Sequence, residues 1–148
     1  MGINLDYSKR TVSHVLTVSS EVSGVATSGF GGRSFTKGIA SAVVMWAPTA
    51  SLADALATSI GNATNVEDRL IHRQLAEEIY PDTDIPGHLV TTFVGDISQA
   101  KIEEALARGM AAVRKLHQDG LVFETLVAVK GQIRMTDGML PYISRADS

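Results

Sequence analysis

The feature that most constrains the fold is an apolar run from Ile39 to Trp46 that stops at Pro48. The run contains several β-branched residues and almost no polar ones, a pattern typical of a central strand covered on both faces. Pro48 ends the strand because proline has no backbone N–H to donate to the ladder. The run therefore predicts a sheet with other parts of the chain packed on both sides.

A helix is predicted directly after this strand, beginning near Leu52, capped by Ser51 and stopped at Gly61-Asn62. Asp54 and Thr58 lie one helical turn apart on one side of it. Their carboxylate and hydroxyl could present two oxygens to one hard cation, although such ions take six or more ligands. Asp54 also fits a purely structural role, because an acid near the start of a helix stabilises the helix dipole.

The rest of the chain reads as short strands and two further helices. The predicted strands are 11–19, 22–28, 88–94, 121–129 and 132–136, and the predicted helices are 66–79 and about 99–118. This order predicts an α+β fold with a mixed or antiparallel sheet and two to three helices packed largely on one face. We expect a single domain over residues 1–148, with residues 137–148 loosely ordered or docked on a neighbour.

A glycine-rich loop, TSGFGGR, precedes the central strand. It fits a tight turn, a close approach to a ligand or a flexible connection, and it matches neither common nucleotide-binding fingerprint. Backbone amides beside basic side chains would suit an anionic group. A serine near a lysine is one pattern found in hydrolases. The serine and threonine residues here are also explained as residues of turns and strand ends. The candidate catalytic residues are Ser28 and Lys37, and the candidate ligand-binding residues are Thr27, Gly29, Gly31, Gly32 and Arg33.

Composition narrows the class of protein. The chain has no cysteine, which excludes disulfides and thiolate metal sites. Its net charge is −3 with scattered basic residues, which argues against nucleic-acid binding. It has neither a signal-peptide pattern nor an apolar run long enough to cross a bilayer, so we expect a cytoplasmic protein that binds no membrane.

The segment from Gly24 to Thr64 resembles the C-terminal half of the ApbE-like superfamily. This superfamily includes magnesium-dependent transferases that move FMN from FAD onto a threonine, and a shorter uncharacterised branch. Thr27-Ser28-Gly29 is similar to a loop near the active site of these proteins, and ADALAT (residues 53–58) is similar to their metal-binding helix. The resemblance covers about residues 15–135 and implies that Asp54 and Thr58 are ligands of Mg²⁺.

The resemblance also implies an incomplete site, because the N-terminal half of these proteins supplies most of the flavin pocket and the remaining magnesium ligand. It therefore implies no flavin site in this chain alone. The expected function is one half of a small-molecule active site with Mg²⁺ near the ADALAT helix, completed by a second subunit or by another copy of the chain. The alternatives are a non-catalytic assembly or binding subunit, a hydrolase that uses the TSGFGG loop, and an FMN transferase.

Overall fold

A four-stranded antiparallel sheet forms the centre of the protein. The computed structural model describes residues 2–3, 14–18, 22–30, 32 and 34–145. The sheet has the order β3-β4-β7-β8, formed by Gly24–Ser28 (β3), Ala42–Ala47 (β4), Glu124–Val129 (β7) and Gln132–Met135 (β8). β4 is the predicted central strand, and residues 43–47 are all buried, so both of its faces are covered as expected.

Two long helices cover one face of this sheet. They are Ala50–Ala63 (α1) and Gln99–Gln118 (α3). Val43, Met45 and Val127 of the sheet pack with Leu56 and other apolar residues of the two helices in one buried cluster. The antiparallel sheet and the position of the helices confirm the predicted α+β class.

The opposite face of the sheet is covered by a smaller antiparallel sheet. Its strands are Gly2–Ile3 (β1), His14–Leu16 (β2) and Ile143–Arg145 (β9), in the order β1-β2-β9. A 3₁₀ helix, Asp137–Tyr142, leads into β9 and buries Met139 against Leu126 and Trp46. Residues 11–13 and 19 of the predicted first strand lie outside the described residues.

A separate two-stranded hairpin replaces the predicted helix over residues 66–79, and that prediction was wrong. Ile71–Leu75 forms a strand (β5), only Ala76–Ile79 is helical (α2), and β5 pairs with Leu89–Val94 (β6). Arg73 holds the extended conformation because its guanidinium donates to the Asn65 side chain at 2.5 Å and to the Val66 carbonyl at 2.8 Å. These bonds and the pairing with β6 outweigh the local helical pattern.

The start of α1 also differs from the prediction. Thr49 rather than Ser51 is the N-cap, because the Thr49 hydroxyl accepts from the Leu52 N–H at 3.2 Å. Ser51 lies exposed within the first turn. In the part of the chain that the structure describes, no helix is both long enough and apolar enough to cross a membrane.

Candidate functional site

A cavity of about 640 Å³ lies between α1 and the loop that joins α2 to β6. Thr58 and Asn62 of α1 and Lys37 line one side, and the loop residues Asp82 and Asp84 also line it. Its volume is typical of a pocket that holds a small molecule. This cavity is the candidate functional site.

The metal-binding pair predicted on α1 lies at the edge of this cavity. Asp54, Thr58 and Asn62 follow one another at intervals of four residues and therefore share one face of the helix. Thr58 is half-buried in the cavity wall, whereas Asp54 is exposed one turn closer to the helix N-terminus and outside the lining. The pair therefore lies along a helix face that runs from the cavity wall at Thr58 to the exposed Asp54.

Asn62 is a residue of the site that the sequence reasoning treated only as part of a helix stop. Its side-chain oxygen accepts from the backbone N–H of Lys37 at 2.9 Å and from the Thr36 hydroxyl at 3.3 Å. These bonds hold the backbone of Lys37 against α1. Its spacing of four residues from Thr58 was the signal in the sequence that could have identified it.

Thr64 fixes the same loop to the end of α1. Its buried hydroxyl accepts from the backbone N–H groups of Ile39 at 3.0 Å and Ala40 at 2.9 Å, and it donates to the Gly61 carbonyl at 2.6 Å. Gly38 permits this approach, because a Cβ there would lie 1.8 Å from the Gly61 carbonyl oxygen. The segment 36–40 is therefore docked on α1 by both hydrogen bonds and close packing.

The candidate catalytic pair is divided between two places. Ser28 lies on β3 beside α1, where a Cβ added to Gly61 would sit 3.8 Å from its hydroxyl oxygen. Lys37 lines the cavity, and Ser28 is not among the lining residues. Their catalytic role stays a prediction.

Thr27, Gly29 and Gly32 are the candidate ligand-binding residues of the glycine-rich loop that the structure describes. Gly29 has a φ of +151°, and a Cβ there would lie 2.7 Å from the Ser41 carbonyl oxygen, so close backbone packing already requires glycine. Gly32 lines a neighbouring cavity of about 380 Å³, and Thr27 is exposed. Gly31 and Arg33 lie outside the described residues.

The Glu77 carboxylate holds the loop that joins α2 to β6 by a hydrogen bond. Glu77 of α2 accepts from the Gly87 backbone N–H at 2.9 Å. Hydrogen bonds from its own backbone N–H and from Gly87, with a smaller contribution from the nearby charge of His88, lower the pKa of Glu77 below its ordinary value. The carboxylate form of Glu77 therefore stabilises the position of Gly87 in the loop.

The described residues do not make a complete metal site. No group of three or more acidic or histidine side chains within them is arranged to hold a metal ion. Asp54 and Thr58 contribute two oxygen ligands when the carboxylate binds through one oxygen, fewer than the six ligands that Mg²⁺ requires. A divalent ion at this pair would need water and ligands from elsewhere.

We predict that Thr64→Val lowers the free energy of unfolding by about 2–4 kcal/mol, because it leaves two buried N–H groups without an acceptor. Thr64→Ser keeps the hydroxyl and should cost only about 1 kcal/mol for the lost methyl group. Urea denaturation measures both values. Equal losses for the two variants would contradict the role given to the hydroxyl.

We predict that the bond between Glu77 and Gly87 is present at neutral pH and is lost as the pH falls through the lowered pKa of Glu77. The Gly87 amide resonance in an NMR titration should move in the acid range, with a midpoint below that of an ordinary glutamate. Glu77→Gln should abolish this transition, and Glu78→Gln, a change at the exposed neighbouring position, should preserve it. A Gly87 resonance that titrates alike in both variants would rule the bond out.

A comparison with known proteins assigns the chain to a family. No curated protein and no solved structure matches it. A family model described as AbpE bacteria matches residues 2–135, which include the glycine-rich loop, α1, the hairpin and α3. The chain therefore belongs to this ApbE-related family.

Proposed function

We propose that the chain forms one half of a small-molecule active site that a second chain completes. The observation that carries this proposal is the meeting of Thr58, Asn62 and Lys37 in one cavity opposite Asp82 and Asp84. Polar groups of several kinds that converge on one cavity are typical of ligand sites. Membership of an ApbE-related family supports placing functional residues on α1, because the resemblance implies that this helix carries them.

The chemistry of the wall suits a ligand with both anionic and neutral polar groups. The Lys37 ammonium attracts an anion, and the Thr58 hydroxyl both donates and accepts. The Asn62 oxygen is already bonded to residues 36 and 37, which leaves its amide nitrogen to donate. The two aspartates opposite would orient such a ligand by accepting its hydroxyl or amine protons.

The metal role of Asp54 and Thr58 is part of this proposal. Mg²⁺ at this pair would supply Lewis-acid chemistry to the ligand. Asp54 is exposed, so its carboxylate is accessible to groups on a second chain that would complete the ligand set. An exposed Asp54 one turn from the half-buried Thr58 of an open cavity supports a shared site more than a site within one chain.

Exposed apolar side chains on α2 and β6 support the presence of a second chain. Ile79 and Tyr80 at the end of α2, and Leu89 and Phe93 of β6, are 42%, 57%, 54% and 52% exposed. Tyr80 also lines the cavity. Neighbouring large apolar residues that face water are typical of protein interfaces.

We predict that the assembled protein, purified with its partner chain or as its own oligomer, binds Mn²⁺, measured by electron paramagnetic resonance as a substitute for Mg²⁺. Asp54→Asn and Thr58→Val should each weaken this binding by at least about tenfold, because the first removes the negative charge of a ligand and the second removes an oxygen ligand. Thr58→Ser keeps the hydroxyl and should bind normally. Asp96→Asn is the matched control, because Asp96 is fully exposed elsewhere. Binding that survives in Asp54→Asn would exclude the metal role.

We predict that Phe93→Ser and Leu89→Ser disrupt assembly, because they remove exposed apolar area that a second chain would cover. Light scattering on the isolated chain separates two cases: a dimer indicates a second copy, and a monomer indicates a different subunit that a pull-down should recover. Leu140→Ser changes an apolar residue of similar exposure, 57%, on the 3₁₀ helix and serves as the control. Assembly unaffected by Phe93→Ser and Leu89→Ser would place the interface elsewhere.

A further inference from the structure

The cavity beside α1 contains a lysine that has no ion pair. Lys37 lines this cavity and is half-buried. The structure describes three other lysines, and each of them pairs with a carboxylate, at 2.9 Å for Lys101, 3.0 Å for Lys115 and 3.6 Å for Lys130. No carboxylate of a described residue pairs with Lys37. Its positive charge is therefore left for a ligand.

The backbone of Lys37 is fixed, whereas its side chain is not committed to a partner. Its N–H donates to the Asn62 side-chain oxygen at 2.9 Å, and its carbonyl accepts from the Thr91 hydroxyl at 3.4 Å. The ammonium donates to no described residue. Because a lysine has a flexible stem, an ammonium on this fixed backbone can still move to meet an anionic group in the cavity.

Two carboxylates of the same cavity are also without a partner among the described residues. Asp82 and Asp84 line the cavity and are exposed, and neither carboxylate accepts a hydrogen bond from the described part of the chain. The residue between them holds the backbone in place: the Thr83 N–H donates to the Tyr80 carbonyl at 3.1 Å, and the Thr83 hydroxyl accepts from the Ile85 N–H at 3.3 Å. Since both carboxylates are exposed to water, a ligand can reach them without any change in packing.

The two kinds of charge lie in one cavity without forming an ion pair with each other. No ion pair joins Lys37 to Asp82 or Asp84. A ligand with only an anionic group would be attracted by the lysine and repelled by the aspartates, and a ligand with only an ammonium would meet the reverse. A molecule that carries both charges, separated by several atoms, satisfies all three side chains. Phe35 and Val90 also line the cavity, so the part of the ligand between its charges can be apolar.

We propose that this cavity binds a zwitterion that carries a carboxylate and an ammonium at opposite ends of an apolar body. Lys37 binds the carboxylate of the ligand, and Asp82 and Asp84 bind its ammonium. This inference rests on the proposed function, because it names the class of ligand for the same cavity.

Three probes of nearly equal shape separate the contributions of the two charges. 6-Aminohexanoate carries both charges, hexylamine carries only the ammonium, and hexanoate carries only the carboxylate. Each is titrated at neutral pH into the assembled protein and followed at the backbone amide resonances of residues 37, 82 and 84. 6-Aminohexanoate should bind with a dissociation constant of about 1 mM, at least about tenfold more tightly than either of the other two, and should bind more weakly as salt is added.

Variants that remove one kind of charge should affect the probes in opposite directions. Lys37→Met keeps the apolar stem, and it should weaken 6-aminohexanoate binding at least about fivefold while strengthening that of hexylamine, because the repulsion is lost. Asp82→Asn combined with Asp84→Asn should weaken 6-aminohexanoate binding and strengthen that of hexanoate. A loss of folding could not strengthen the binding of either probe. Lys115→Met changes an exposed lysine of α3 and should bind all three probes as the unmodified protein does.

The unmodified protein alone decides the question if a variant fails to fold. Binding of hexanoate or hexylamine as tight as that of 6-aminohexanoate would overturn the zwitterion and leave the cavity as the ligand site of the proposed function. Resonances of residues 37, 82 and 84 unmoved by all three probes up to about 20 mM would also overturn it. Failure of the proposed function is detected separately, by the Mn²⁺ and assembly measurements.

Discussion

The docking of residues 36–40 on the C-terminal end of α1 is the interaction on which the candidate site depends. The Thr64 hydroxyl alone accepts from two buried N–H groups of this segment, and it donates a hydrogen bond to the Gly61 carbonyl. Neither partner could approach so closely with a side chain at position 38. Because Lys37 belongs to the segment and Thr58 to the helix, this contact brings Lys37 and Thr58 together on one side of the cavity.

The same segment also holds the β5–β6 hairpin in place. The Thr91 N–H donates to the Thr36 carbonyl at 2.8 Å, and the Thr91 hydroxyl donates to the Lys37 carbonyl at 3.4 Å. Residues 36 and 37 therefore bond to α1 through Asn62 and to β6 through Thr91. The loop that carries Asp82 and Asp84 begins at α2 and returns to β6, so its position opposite α1 follows from these bonds. The cavity is thus a consequence of one short segment that bridges a helix and a hairpin.

Local patterns were enough to predict the central sheet and the long helices. β4, α3 and the strands of the β7–β8 hairpin follow from apolar runs and apolar periodicity, which act between near neighbours. The error over residues 66–79 has a nonlocal cause. The apolar residues Leu70, Ile71, Leu75 and Ile79 fit a helical stripe, but Ile71 and Leu75 also alternate correctly for a strand, and the partner strand that decides the matter begins at Leu89.

The site was less accessible from the sequence for a related reason. The Asp54–Thr58 pair is visible because its spacing lies within one helix. Asn62 and Thr64 look like residues that stop a helix, since the backbone groups they bind lie 24–25 residues earlier in the chain. The aspartates of the loop 80–88 are fully accounted for by turn chemistry until the fold places them opposite α1. Trp46 likewise fits the pattern of a core residue, and only the folded structure shows that its indole N–H lacks an acceptor.

The unit formed by β4 and α1 therefore has two separate chemical surfaces. At the end of α1, polar side chains and docked backbone form a wall that is open to water, and its Lys37 ammonium and Thr58 hydroxyl would suit a polar ligand shared with another chain. At the end of β4, Trp46 Nε1 and Glu124 Oε2 are shielded from water and have no hydrogen-bond partner, so a ligand cannot reach them unless the packing rearranges. The difference in the accessibility of polar groups, rather than in cavity size, therefore makes the end of α1 the place where this unit can bind a polar ligand.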